Sequence, residues 1–97
     1  MDNIDFAILS SIQELGARYG VKPYDFIATL DHSHEATGMG VKFVIPAETS
    51  EPQGARVRKM LQAIGVNEDG ILQGGEKVVI DALEQALHTA PKQRIKP

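Results

Sequence analysis

Cysteine is absent from the 97 residues. A disulfide framework, a thiol nucleophile and a thiolate metal site are therefore excluded together. Tryptophan is absent too, and the five aromatic residues all lie between Phe6 and Phe43. Residues 49–97 thus offer no aromatic platform on which single-stranded bases could stack. No apolar run approaches the roughly 20 residues that a membrane-spanning helix needs. The start, Met1-Asp-Asn-Ile-Asp, is acidic and lacks the positive region of a signal peptide. The expectation is a soluble cytoplasmic protein with no membrane role.

Positive charge is short where a nucleic-acid binder would need it. The net charge is −3, and residues 1–48 carry seven Asp/Glu against three Lys/Arg, while residues 49–97 carry six against seven. The acidic half is the one that holds the chain's most legible local motif, whereas a nucleic-acid binder places its positive field where it docks. Nucleic acid is disfavoured as a partner.

What is present reads as one small domain over residues 1–90, followed by a basic tail, 91–97. That tail holds two prolines, three cations and little to bury, so flexibility is expected of it. Ile4, Ile8, Ile12, Leu15 and Tyr19 recur at three- and four-residue steps and predict a helix over about 3–19. Phe6 and Leu9 broaden its apolar face beyond what one core contact needs. Val41-Lys-Phe-Val-Ile-Pro46 reads as a strand with Val41, Phe43 and Ile45 on one face, ended by a proline that cannot donate to a ladder. Its neighbours would be 34–37, folded back through Gly38-Met39-Gly40, the short piece 70–73, or the same strand of a second copy. Ser50 and Gln53 form a capping-box pattern ahead of a helix with the stripe Val57, Met60, Leu61, Ile64, which Gly65 stops. Gly74-Gly75 leads into a last helix, about 76–88, with Val79, Ile80, Leu83, Ala86 and Leu87 inward.

The stretch Leu15–Leu30 predicts a helical hairpin. Gly20 suits a left-handed helix end, Pro23 the first turn of the next helix, and Asp25 the positive end of its dipole. With Lys22 as cap, Val21 and Phe26 hold the positions of a hydrophobic staple. The expected second helix covers about 23–31. This spacing resembles the helix-turn-helix motif of DNA-binding regulators. The resemblance implies duplex contacts from Lys22 and Tyr24, with Arg56, Arg58 and Lys59 as a further basic set. The outward positions of that helix, however, carry no Arg, Asn or Gln to grip a base edge.

Other constellations are thinner. His32-Ser33-His34 would project both imidazoles to one side of an extended segment, the start of a metal site, but two ligands fall short of the three or four required. No cofactor is expected. Ser33 points away from both histidines if extended, no Gly-x-Ser-x-Gly elbow or Gly-Lys-Ser/Thr loop occurs, and no carboxylate pair stands out. An enzyme is not expected.

The fold expected is α+β: about four helices with a small two- or three-stranded sheet, in the order α-α-β-α-(β)-α. The function expected is a protein-interaction or regulatory module, with a partner protein or a second copy (a homodimer) docking on an exposed strand edge at Val41, Phe43, Val44 and Ile45. Phe6 and Leu9 would add a second contact. The alternatives are the helix-turn-helix regulator over residues 15–30 and a metal-binding protein through His32 and His34.

Overall fold

The computed structural model describes residues 3–34 and 38–92, except the side chains of residues 33 and 34. Its elements are helix α1 (Asn3–Arg18), a single 3-10 turn (Pro23–Asp25), strands β1 (Ile27–His34) and β2 (Gly38–Val44), helix α2 (Glu51–Ile64), strand β3 (Ile71–Gln73) and helix α3 (Glu76–Thr89). The domain is α+β as expected. Its order is α-β-β-α-β-α, with three α-helices among the described residues where four were expected.

The difference lies in residues 23–31. The start signals are real: Gly20 is left-handed (φ 73), and the Lys22 backbone N–H donates to Asp25 Oδ2 at 2.9 Å. They open only one turn, because the residues after Asp25 favour a strand. In Phe26-Ile27-Ala28-Thr29-Leu30, Phe26 is buried and Ala28 and Leu30 are half-buried, while Ile27 and Thr29 are exposed. That is a period of two. A nine-residue helix would gain few internal hydrogen bonds for its nucleation cost, whereas pairing with β2 satisfies the backbone groups that face it from Ile27 to Asp31. The helix-turn-helix arrangement accordingly lacks its second helix.

The sheet is antiparallel throughout, ordered β1-β2-β3. Ile27 pairs with Val44, Thr29 with Lys42 and Asp31 with Gly40, and the register then shifts before His34 meets Gly38. On the other side Gly40, Val41 and Lys42 pair with Gln73, Leu72 and Ile71. Gly38-Met39-Gly40, expected as a turn, belongs to β2. A Cβ at Gly40 would stand 3.2 Å from the Leu72 carbonyl oxygen, so a glycine allows β3 to approach. Residues 35–37, part of the expected partner segment, lie outside the described residues, as do residues 93–97 of the expected tail.

The three helices cover one face of the sheet. Ile8, Ile12 and Leu15 of α1, Val57, Met60 and Ile64 of α2, and Val79, Leu83 and Ala86 of α3 share a single core with Met39, Val41, Phe43 and Leu72. Each such large side chain contributes about 1.5–3 kcal/mol by leaving water. Phe26 and Phe43 meet with ring centroids 6.3 Å apart. Helix α3 lies centrally, packed against α1, α2, β2 and β3. Ser50 caps α2 by accepting from the Gln53 N–H, and Gly65 ends it in the left-handed conformation. No helix among the described residues is long and apolar enough to cross a membrane.

Candidate interaction surface

Strand β2, expected to offer an open edge, is the middle strand. Val41 and Phe43 are buried in the core (0% and 4% exposed), and Ile45 is half-buried against it. The Phe43 N–H is taken by the Gly70 carbonyl at 2.7 Å. Of the four residues expected to dock a partner there, only Val44 is exposed. It stands on the sheet face away from the helices, in register with exposed Ile27. The free edge belongs instead to β1, whose one sheet neighbour among the described residues is β2.

Helix α1 runs along that edge. At one end His32 Nε2 lies 3.2 Å from Asp5 Oδ2, which ties the first turn of α1 to β1. At the other, Gly16 lies close enough to Phe26 that a Cβ there would stand 3.6 Å from the ring, and its carbonyl accepts from the Val21 N–H at 2.7 Å. With Asp5, Ile12 and Gly16 turned to the strand, the helical period places Leu9, Gln13 and Phe6 progressively outward, beyond the edge. Two adjoining hollows of about 130 and 240 Å³ follow this line and share Gln13, Pro23 and Phe26. Leu9 is half-buried, and Phe6 is 66% exposed. The broad flank of α1 was legible in the sequence; the strand beneath it was not.

A second cluster surrounds Asp25, the one buried charged residue among those described (5% exposed). Its Oδ2 accepts from the Lys22 N–H and from Gln53 Nε2 at 2.6 Å. Gln53 Nε2 also donates to the Gly20 carbonyl at 3.0 Å, and Arg56 Nη1 donates to Gln53 Oε1 at 2.8 Å. Thr49 Oγ1 closes the set on the Asp25 carbonyl at 3.0 Å. The Lys22 N–H and the Gln53 amide hold the Asp25 carboxyl below its ordinary value, against a smaller opposing effect of burial. An open hollow of about 320 Å³ borders this cluster, with Tyr24 and Glu48 on its wall. The donors aimed at Oδ2 come from the fold itself, so the cluster is a clamp joining the turn to α2. The sequence marks Gln53 only as a capping partner. Nothing local signals that its amide reaches Asp25, 28 residues away in the chain.

The remaining candidates divide. Lys22 and Tyr24 are exposed at the turn, Tyr24 strongly (73%), and Arg56 joins them through Gln53. Arg58 instead lines a hollow with Leu61 and Val66 on another side of α2, and Lys59 is exposed. The five residues expected to contact DNA are not gathered on one element. His32 is exposed and engaged with Asp5. His34 lies in β1 at the register shift, and its side chain is outside the described part. Among the described residues no three His, Asp or Glu gather to hold a metal ion. No family model, curated protein or solved structure matches the chain.

Proposed function

We propose that this domain is a non-enzymatic protein-interaction module that takes an extended segment of a partner protein onto the free edge of β1, beneath the Phe6–Leu9 flank of α1. One observation carries this reading: among the described residues, an eight-residue edge strand runs beside a helix flank on which Phe6 is exposed and Leu9 half-buried. The unpaired backbone groups of such an edge supply affinity by extending the ladder, and side chains alternating toward the helix supply specificity. The Leu9, Ile12, Phe26 and Ala28 hollow suits a small or medium aliphatic side chain. Asp25 with its donors and Asp5 Oδ2 with His32 hold elements in place.

Selection of binders from a random peptide display library tests this. The expected result is a set of extended peptides whose binding falls at least tenfold with Phe6→Asp, and falls again when alternate peptide amides are N-methylated. Binders that tolerate both changes, or that shift the backbone resonances of the Asp25 turn instead of β1, would refute it. Val44→Lys separates the two sheet surfaces, since it changes the open face and leaves the β1 edge alone.

A further inference from the structure

We infer that the segment taken onto this edge is β1 of a second copy, so that two domains join into a six-stranded sheet around a two-fold axis. This deepens the strand-addition reading and rests on it. The geometry is self-complementary. All helices lie on one face, so a two-fold axis along the sheet normal keeps both helical layers on the same side. It also makes adjacent β1 strands antiparallel. Because α1 is the helix that borders β1, the same rotation sets the two α1 flanks side by side and antiparallel, with the two Leu9 side chains near the axis and each Phe6 toward the Gln13 end of the other copy's α1.

The register comes from the strand itself. Its regular pairing with β2 runs from Ile27 to Asp31 before the ladder shifts, and the centre of that stretch is Thr29. Pairing about Thr29 sets Thr29 opposite Thr29, Ile27 opposite Asp31 and Ala28 opposite Leu30. Each pair then shares a face, and no like charges meet. Pairing about Asp31 would set two carboxylates opposite each other and use the irregular end.

Area fits a modest dimer. A five-residue ladder about 17 Å long, roofed by two turns of helix, covers roughly 500–600 Å² per copy, near the lower limit for specific interfaces. That is a small part of the 6589 Å² that the chain exposes, and it implies reversible association.

The native chain has no cysteine, so single-cysteine variants report cleanly. Sedimentation equilibrium from about 1 µM to about 500 µM, the span of weak interfaces of this size, is expected to show mass rising from monomer to dimer. Phe6→Asp, at an exposed position that the core does not need, is expected to keep the circular dichroism and lose the rise. Under mild oxidation Thr29→Cys is expected to be captured as a disulfide dimer, and Gln85→Cys on α3 is not. A dimer that Thr29→Cys does not capture, or that Phe6→Asp leaves intact, overturns this placement. A concentration-independent monomer overturns the second copy as occupant. In that case the peptide selection still judges strand addition by itself, so the two failures are distinguishable.

Discussion

Gly70 is where the connection into β3 touches β2. Its backbone is left-handed (φ 80), and a Cβ there would lie 2.6 Å from the Phe43 carbonyl oxygen. Alanine at this position would incur two separate costs. The first is the left-handed conformation, about 1–2 kcal/mol for a residue with a Cβ. The second is the overlap, which cannot be relieved by swinging a side chain because the atom struck is backbone. The connection must move off β2, and the Phe43 N–H to Gly70 carbonyl bond (2.7 Å) is lost or stretched, at about 0.5–1.5 kcal/mol. Gly70→Ala should therefore cost about 1.5–3.5 kcal/mol, a large fraction of the roughly 5–15 kcal/mol that holds a domain folded. Gly65→Ala is the control for the first cost alone, since φ is 91 and nothing lies within 4 Å of the added carbon; about 1–2 kcal/mol is expected. Gly54→Ala is the control of opposite sign. It sits inside α2 and its Cβ would meet only the movable end of Arg58 at 3.4 Å, so helix propensity should add about 0.5–1 kcal/mol. Urea unfolding followed by circular dichroism measures all three, and each kcal/mol should move the thermal midpoint by roughly 4–8 °C in a chain of this size. If Gly70→Ala costs no more than Gly65→Ala, the overlap argument is wrong.

The core and the clamp give two further expected outcomes. Because the Asp25 carboxyl is held below its ordinary value, its contribution to stability is present above the unfolded-state pKa and is lost as pH falls through the folded value. The difference in urea midpoint between the native chain and Asp25→Asn should be full at pH 7 and shrink below about pH 4; a difference that grows on acidification would contradict the clamp. Leu15, fully buried on α1, should lose about 2–5 kcal/mol on change to alanine, read by the same urea titration, and a loss under about 1 kcal/mol would mean that α1 is not packed as described.

The three helices were legible because their signals are local and repeated. The Ile8, Ile12, Leu15 stripe, the Ser50 cap and the Gly65 stop each act within a few residues, and each is found in the structure. Strand β1 was hidden because the residues just ahead of it carry genuine helix-start chemistry. Pro23 and Asp25 do open a turn, and only the distant β2 decides that Ile27 onward is extended. A short apolar run such as Phe26–Leu30 is ambiguous between a helix and a strand until its partner is known. That ambiguity moved the free edge, since a strand without β1 beside it leaves Val41–Val44 looking open. Phe6 is exposed and Leu9 half-buried beside it, because helix periodicity turns Phe6 furthest from the core stripe. The Asp25–Gln53 bond had no comparable signal, because it depends on where two separate elements come to rest.

The packing of α1 against α3 joins the first and last helices among the described residues. During synthesis the Ile8, Ile12, Leu15 stripe leaves the ribosome well before the helix that covers it. About 70 residues separate Arg18 from Thr89, which at some 5–20 residues per second is an interval of roughly 4–14 s. The β1–β2 hairpin can form within that time, but it and α2 cover only part of the apolar face of α1, and the rest waits for α3. Until α3 docks the protein is most exposed to chaperones and to aggregation, and a released chain cut short before Glu76 should be far more protease-sensitive than the 97-residue chain.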